Sequence, residues 1–223
     1  MDKSVFIKEI FESIQGEGPY IGYNQLFVRF SNCNLHCKYC DTDFKTELKS
    51  YTSKELAKEI EQYKNIHSIS LTGGEPLLST DFLQEVLPLT NKKIYLETNG
   101  TLFNELEKII NYIDIISMDI KLPSTTGMPD LFKEHDNFIK IAQKHSKEIF
   151  AKVVFDTNIT DDEINNVIKI AKENNILIIL QPKMDGEILN LKTEFINEIF
   201  YRFVSKYQNI RLIPQVHKFL NVR

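Results

Sequence analysis

The three cysteines of the chain, Cys33, Cys37 and Cys40, all lie within one stretch of eight residues. Their spacing brings three thiolates into a single loop, where they can bind a metal ion or an iron–sulfur cluster. Three thiolates do not fill a site of four ligands. Either a fourth protein ligand completes the set, as in structural zinc sites, or the fourth position stays open for a small molecule, as in catalytic sites.

Plainer interpretations compete with a catalytic site. Clustered cysteines can be small buried hydrophobic residues, or they can form a structural zinc knuckle in which His36 is the fourth ligand. A zinc knuckle normally takes a second pair of ligands from further along the chain, and this sequence has no second pair of cysteines. An apolar, strand-like run precedes Cys33, so we expect the loop to extend from a large core.

Length and composition limit the classes of function. The 223 residues show no shift in composition, which predicts a single domain over residues 1–223. A net charge of −4 gives no general attraction to nucleic acid or to anionic membranes, so a small-molecule substrate is favoured. Residues 1–12 lack the apolar core of a signal peptide. We therefore expect a cytoplasmic protein, in which thiols stay reduced.

Apolar, strand-like runs alternate with amphipathic segments along the chain, a pattern typical of βα units around a parallel sheet. Strands are predicted at residues 5–11, 25–31, 68–72, 93–98, 114–120, 149–155, 176–180 and 210–213. Helices are predicted at residues 53–63, 81–89, 104–111, 131–144, 161–174 and 193–207. Two helices begin with capping boxes, Thr52 with Glu55 and Thr160 with Glu163.

These elements make about six or seven βα units, fewer than the eight of a closed barrel. No GxGxxG turn follows the first strand, as a dinucleotide-binding fold would require. The predicted fold class is therefore α/β, an incomplete TIM-like βα barrel with parallel strands. In such folds chemistry takes place where the strands end. Polar residues and glycines recur at those points, at residues 33–40, 72–76, 97–100, 119–121, 155–156, 181–182 and 214–215.

The pattern CxxxCxxC, with the aromatic Tyr39 before its last cysteine, resembles the cluster loop of radical S-adenosylmethionine (SAM) enzymes. The GGEP sequence at residues 73–76, one βα unit later, is similar to a second motif of that family. The resemblance implies a [4Fe–4S] cluster on Cys33, Cys37 and Cys40, with one iron free to bind SAM and cleave it to a 5′-deoxyadenosyl radical. The SAM-binding residues that it implies are Tyr39, Asp41, Gly74, Glu75, Glu97, Asp119, Lys121 and Gln181.

Each of these positions also has a structural interpretation. GGEP alone is an ordinary turn, Glu97 can belong to a polar turn before a glycine, and Asp119 with Lys121 can form a salt bridge at the barrel rim. Residues two apart on a strand point to the same face, so that pair is expected to meet. Several members of that family have Ser-Pro-Lys at the positions of residues 119–121, where this chain shares only the lysine.

Further segments resemble one family of radical SAM enzymes, the 7-carboxy-7-deazaguanine synthases. They are FESIQGEG at residues 11–18, the strand with Arg29, CDT at residues 40–42 and QVHKFL at residues 215–220. The resemblance implies contraction of 6-carboxy-5,6,7,8-tetrahydropterin to 7-carboxy-7-deazaguanine with loss of ammonia, in queuosine biosynthesis. It implies a substrate site of Ile14, Gln15, Gly16, Arg29 and Thr72. It also implies Mg²⁺ on Thr42, an electron donor such as flavodoxin or ferredoxin, a homodimer, and no catalytic residue beyond the cluster and cofactor.

Several alternatives stay open at this point. Arg29 offers a permanently charged fork for the pterin carboxylate, whereas a purely structural arginine would need a buried acidic partner. A radical SAM activating enzyme, which forms a glycyl radical on a partner protein, would also suit an open barrel. A non-catalytic zinc module would use the cysteines as ligands of a structural zinc ion that stabilises the fold. The approach of the C-terminal carboxylate of Arg223 to the substrate is a further open point.

Overall fold

Nine strands form one sheet in the computed structural model, which describes residues 3–40 and 48–222. Their bounds are β1 (Ser4–Ile14), β2 (Asn24–Phe30), β3 (Lys49–Thr52), β4 (Ser68–Gly73), β5 (Ile94–Thr98), β6 (Ile115–Asp119), β7 (Glu148–Phe155), β8 (Leu177–Pro182) and β9 (Ile210–Leu212). The strand order is β3-β1-β2-β4-β5-β6-β7-β8-β9. Since β3 and β9 lie at opposite edges of this order, the sheet does not close on itself.

The sheet has a parallel part and an antiparallel extension. Strands β2 and β4 to β9 pair in parallel along the order, while β1 pairs antiparallel with both β2 and β3. The prediction of an incomplete parallel βα barrel is confirmed. Strand β1 is longer than predicted because its pairing with β2 continues to Ile14. Strand β3 was not predicted, since its four residues directly precede a helix cap and give no clear apolar pattern.

The helices are α1 (Ser53–Ile60), α2 (Thr80–Val86), α3 (Phe103–Ile109), α4 (Pro123–Thr126), α5 (Phe132–Lys144), α6 (Asp161–Asn174), α7 (Thr193–Val204) and α8 (Val216–Leu220). Both predicted capping boxes are present. Helices α1, α2, α3 and α7 end earlier than predicted, and α2 gives way to a 3₁₀ turn at a proline, Pro88, which cannot continue the hydrogen-bond ladder. The short helices α4 and α8 were not predicted. In the described ranges, no helix combines the length and apolar character that crossing a bilayer requires.

The inner face of the barrel changes from apolar to polar along the strands. Near the strand starts, Tyr95, Ile115, Phe150 and Ile179 pack together in a small buried cluster, which Tyr20 covers. Two residues further along β5 and β7, the inward positions are occupied by Glu97 and Lys152, which line a cavity. The period-two alternation of the strands thus places a layer of polar side chains above an apolar floor.

Candidate active site

A cavity of about 240 Å³ lies at the carboxyl ends of the parallel strands. Most of the predicted site residues line it: Ile14, Gln15, Gly16, Arg29, Cys33, Cys37, Tyr39, Cys40, Thr72, Gly74, Glu97, Asp119, Lys121 and Gln181. Glu75 does not line it. The predicted residues Asp41, Thr42 and Arg223 lie outside the described residues. The fold therefore brings the predicted cluster, cofactor and substrate residues to one place, although they come from segments far apart in the sequence.

The cysteine loop contributes three thiols that form no disulfide. Cys33 and Cys37 are half-buried, Cys40 is exposed, and burial raises the pKa of the Cys33 and Cys37 thiols. His36 is exposed and lies outside the cavity lining. No three His, Cys, Asp or Glu side chains of residues 3–40 and 48–222 are grouped to hold one metal ion. Three thiols at one end of a cavity suit a cluster, in which each cysteine binds a different iron.

The glycines of the GGEP turn pack against the base of the cysteine loop. The Gly74 amide donates to the Phe30 carbonyl at 3.0 Å, and the Glu75 amide donates to the Asn32 carbonyl at 2.6 Å. A Cβ at Gly74 would overlap the Asn32 carbonyl oxygen. The Gly74 and Glu75 amides are therefore bonded within the protein. Both glycines still line the cavity.

Glu75 is buried beneath this turn. Its carboxylate accepts hydrogen bonds from the Thr98 hydroxyl at 2.9 Å, the Asn99 amide at 2.8 Å and the Leu77 amide at 3.1 Å. Burial outweighs these donors and raises the pKa of Glu75 to about 7. The three contacts tie the end of β4 to the end of β5. Glu75 therefore acts in this structure as a link between two strand ends.

Asn99 extends the link to the cysteine loop. Its side-chain amide donates to Asn34 Oδ1 at 2.8 Å and lies 3.9 Å from the Cys33 sulfur. The buried His135 ring contacts the Asn99 carbonyl at 3.1 Å, and burial lowers the pKa of His135 to about 4. Sequence reasoning singled out the strand end at residues 97–100, but it did not assign Asn99 to the site.

Glu97 accepts hydrogen bonds from three donors on two elements at the cavity wall. Its carboxylate accepts from Gln15 Nε2 at 2.9 Å, from the Ser70 hydroxyl at 3.0 Å and from the Thr72 hydroxyl at 2.8 Å. Gln15 belongs to the segment after β1, whereas Ser70 and Thr72 lie on β4. One carboxylate thus holds two predicted substrate residues, Gln15 and Thr72, in fixed positions.

Four charged side chains form a second network across the cavity. Lys152 of β7 forms an ion pair with Glu17 and lies 3.5 Å from Asp119 Oδ1. Lys121 pairs with Asp119 Oδ2 at 2.9 Å and approaches the Tyr39 hydroxyl at 3.3 Å. The predicted meeting of Asp119 and Lys121 is therefore observed. The two cations balance the two carboxylates in a site with little access to solvent.

Glu17 is the most heavily bonded carboxylate of this network. Besides Lys152, it accepts from Gln215 Nε2 at 2.7 Å and from Gln181 Nε2 at 3.3 Å. Burial by itself would raise the pKa of Glu17, but the charge of Lys152 and these hydrogen bonds prevail and lower it to about 2. Glu17 is consequently a carboxylate throughout the neutral range.

Sequence reasoning missed Glu17 and Lys152 as site residues. Glu17 lies in the QGEG segment that was singled out as a whole, without a role for the glutamate. Lys152 interrupts the apolar strand FAKVVF, and a lysine in such a run needs a buried partner, which is a signal that was available. The pairing itself joins residues 135 positions apart. Nothing in either local sequence identifies the other residue.

Arg29 has the acidic partner that a structural arginine requires. Its Nε pairs with Glu9 Oε1 at 2.7 Å, and its guanidinium lies 5.8 Å from the centre of the Phe11 ring. Its side chain is 26% exposed and lines the cavity. The two interpretations of Arg29 are therefore compatible, because Glu9 holds one edge of the side chain while another part faces the cavity.

The C-terminal segment covers part of the cavity. The Val216 amide donates to the Gly16 carbonyl at 2.9 Å, and a Cβ at Gly16 would overlap the His217 side chain. Gln215, His217 and Lys218 line the cavity. Gly16 is thus required for close packing between the segment after β1 and helix α8, in addition to the predicted contact with a ligand.

Comparison with known proteins gives consistent findings. The sequence matches the family model of the Radical SAM superfamily over residues 27–181. It is 37% identical to a 7-carboxy-7-deazaguanine synthase of Geobacter sulfurreducens, over 96% of each chain. It is 33% identical to one of Archaeoglobus fulgidus, over 96% of this chain and 97% of that one.

Among solved structures, the fold is similar to that of QueE from Escherichia coli, with a TM-score of 0.62 and 19% identity, over 96% of this chain and 95% of that one. At this identity the likeness concerns the fold. The matches to the two sequence relatives extend well beyond the cysteine loop, since each covers 96% of this chain.

Proposed function

The chain belongs to the radical SAM superfamily and, within it, to the 7-carboxy-7-deazaguanine synthases, and on this basis we propose that it contracts 6-carboxy-5,6,7,8-tetrahydropterin to 7-carboxy-7-deazaguanine. Ammonia is lost in the reaction, and the product enters queuosine and related deazapurine biosynthesis. The enzyme uses a [4Fe–4S] cluster and SAM, as membership of the superfamily requires. The rival functions, a glycyl-radical activating enzyme and a zinc module, receive no support from the relatives.

Cys33, Cys37 and Cys40 hold the cluster in this proposal. When bound by these thiolates, the reduced cluster would supply the electron for cleavage of SAM, the chemistry that starts hydrogen abstraction from C6 of the pterin. The support in this chain is the position of the three thiols at one end of the cavity. The raised thiol pKa values of Cys33 and Cys37 mean that cluster binding releases protons.

The SAM residues extend from the cysteine loop along the strand ends. Tyr39, Gly74 and Lys121 line the cavity on the cysteine side, and Glu97, Asp119 and Gln181 follow around the barrel. Asp41 is assigned to the same group. Glu75 acts indirectly, since its carboxylate is bonded to Thr98, Asn99 and Leu77 and fixes the strand ends that face the cofactor.

The pterin lies between the segment after β1 and the strand ends. Arg29 binds its carboxylate, because a guanidinium is a permanent cation with several parallel donors. The ring of the substrate is rich in N–H donors, and Gln15, which donates to Glu97 at 2.9 Å and is thereby held in place, provides an acceptor for them. Ile14, Gly16 and Thr72 complete the substrate contacts. Helix α8 and the apolar floor restrict the access of water to this space.

Several finer features belong to the same proposal. Mg²⁺ is held by Thr42 together with oxygens of the substrate, since magnesium prefers hard oxygen ligands and keeps some of its waters. The electron donor is a flavodoxin or a ferredoxin. The chain functions as a homodimer in the cytoplasm, as one domain over residues 1–223.

One observation carries the proposal. The cavity brings the cysteine loop together with Gln15, Arg29 and Thr72, although the substrate residues come from a segment before the loop and a strand after it. This arrangement supports the proposal of a binding site for a carboxylate-bearing small molecule beside the cluster ligands.

The decisive experiment uses the reconstituted, reduced enzyme. Incubation with SAM and the carboxypterin should give a product with the mass of 7-carboxy-7-deazaguanine, together with release of one ammonia. Cleavage of SAM without conversion of the pterin would contradict the proposed substrate. Binding of stoichiometric zinc without iron or sulfide would contradict the assignment as a radical SAM enzyme.

A further inference from the structure

Lys152 occupies an unusual position for a lysine. It lies in the middle of β7, its side chain is 6% exposed, and its neighbours on the strand, Ala151 and Val153, are buried apolar residues. A buried ammonium is unfavourable unless acidic groups neutralise it. Glu17 and Asp119 provide the two carboxylates, one on each side of the ammonium.

The two carboxylates belong to different halves of the site. Glu17 follows Gln15 and Gly16 in the substrate segment, and its backbone amide donates to Gln15 Oε1 at 2.9 Å. Asp119 ends β6 and pairs with Lys121, which reaches Tyr39 in the cysteine loop. Lys152 is therefore the cation at which the substrate half and the cofactor half meet.

We propose that Lys152 is a positioning residue that holds the substrate segment, through Glu17, against the cofactor half of the site, through Asp119. This inference rests on the proposed function and extends it to a residue that contacts neither the cluster ligands nor Arg29. Its physical basis is that the Gln15 side chain accepts from the Glu17 amide and donates to the Glu97 carboxylate and to Gln25 Oε1, each at 2.9 Å. Loss of the ammonium loosens the first of these three anchors, the one that belongs to the Glu17 segment.

The two halves should respond differently to the loss of Lys152. Asp119 keeps Lys121 as a partner at 2.9 Å, so the cofactor half retains a neutralised carboxylate. The other hydrogen bonds described for the Glu17 carboxylate come from the side-chain amides of Gln181 and Gln215. Both of these donors are neutral. The substrate half should therefore lose order, while the cofactor half stays intact.

The test measures dissociation constants of SAM and of the carboxypterin with the reconstituted holoenzyme. Lys152→Met, which keeps the length of the side chain without its charge, should weaken pterin binding at least about tenfold and change SAM binding by less than about threefold. Lys152→Arg should restore most of the pterin affinity. Lys108→Met, which removes a surface lysine paired with Glu105 on α3, is the matched control and should leave both constants unchanged.

A pH profile separates positioning from general loss of structure. The groups that face Glu17 are Lys152, Asp119, Tyr95, His217, Gln15, Gln181 and Gln215. Without Lys152, burial favours protonation of Glu17, so pterin binding by Lys152→Met should weaken as the pH falls from 8 to 5. Adding Glu17→Gln to this variant should remove the pH dependence, whereas a dependence caused by His217 would persist.

The outcomes distinguish this inference from the proposed function. A wild-type enzyme that yields no deazaguanine overturns the proposed function. A wild-type enzyme that turns over, combined with Lys152→Met that binds the pterin within about twofold of wild type at every pH, overturns the inference alone. If Lys152→Met does not fold, pterin binding is measured with Glu17→Gln and Lys152→Arg instead. Unchanged pterin binding by Glu17→Gln would equally contradict the role of the Glu17–Lys152 pair.

Discussion

The two walls of the cavity are built from different interactions. The cysteine wall, which consists of the loop at residues 33–40 and the GGEP turn, is held mainly through the backbone. The Gly74 and Glu75 amides are bonded to the carbonyls of Phe30 and Asn32, directly before the loop. The opposite wall, which consists of Glu17, Lys152, Asp119 and Gln215, is held by charged and polar side chains. The backbone hydrogen bonds of the cysteine wall fix the position of its main chain. The ion pairs of the charged wall fix the charges that face a ligand.

The difference suggests a division of tasks. A cluster and the amino acid part of SAM need ligands at one constant geometry, which backbone packing around glycine provides. A polar substrate needs charges in a defined state, which a balanced ion network provides. The cysteine wall should therefore respond to added side-chain volume, and the charged wall should respond to loss of charge and to pH.

The largest effect is expected at the cysteine wall itself. Cys37→Ala removes one of three thiolates, so the variant should lose the cluster and with it the cleavage of SAM, measured as 5′-deoxyadenosine. His36→Ala changes the preceding residue, which is exposed and outside the cavity lining, and should retain both. Cleavage of SAM by Cys37→Ala would show that the cysteine loop does not hold the cluster.

Gly74→Ala tests whether backbone packing holds this wall. The new Cβ would overlap the Asn32 carbonyl oxygen, which cannot move without displacing the loop. We expect the free energy of unfolding to fall by about 3 kcal/mol or more, together with incomplete incorporation of iron. Denaturant unfolding and iron analysis measure the two effects.

Gly22→Ala is the matched control for this substitution. Gly22 has a φ of 91°, so alanine is strained there, but no atom lies within 4 Å of its Cβ position. It should lose only about 1–2 kcal/mol. Equal losses for the two variants would mean that the contact with Asn32 has no special role.

Glu75 sharpens the comparison, because it is a carboxylate within the backbone-held wall. Burial raises its pKa to about 7 from an ordinary value of 4.5, so the folded protein binds a proton more tightly than the unfolded chain. Its contribution to stability is therefore complete below pH 4.5 and is lost as the pH rises to about 7. The loss is on the order of 3 kcal/mol.

Urea unfolding of wild type and Glu75→Gln at several pH values isolates this contribution. The difference between the two free energies of unfolding should change with pH between 4.5 and 7 and stay constant above that range. A constant difference over the whole range would mean that Glu75 titrates normally and that its three donors offset its burial.

The same contrast explains how far the sequence predicted the structure. The cysteine wall was predictable, because its thiols and glycines are residue types with few alternatives, and they lie in two short segments. The parallel strands and the capping boxes at Thr52 and Thr160 were predictable from local patterns. Strand β3 and helices α4 and α8 were missed because they are short and depend on tertiary contacts.

The charged wall could be predicted only in part. Asp119 ends β6 and Lys121 lies two residues beyond it, so the period-two alternation expected of a strand predicted their pairing. The partners of Glu17 are Lys152, Gln181 and Gln215, which lie on β7, on β8 and beyond β9. Their meeting depends on the packing of several strand ends around the segment after β1, which no local pattern encodes. The acidic partner of Arg29, Glu9, was missed for a different reason, because its position depends on the register between β1 and β2, in which the two residues lie opposite each other.

The smallest effect is expected for substitution of Arg29. It tests whether the charged surface that a ligand meets extends from the charged wall to this residue. Because Glu9 already neutralises part of the guanidinium, Arg29→Ala should weaken pterin binding about tenfold, or about 1.4 kcal/mol, and should spare the cluster and SAM binding. Arg29→Lys keeps the charge without the planar fork and should recover only part of the loss. An unchanged pterin dissociation constant for Arg29→Ala would assign this residue to the Glu9 pair and the Phe11 ring alone, and the substrate carboxylate would then need another cation lining the cavity, such as Lys183.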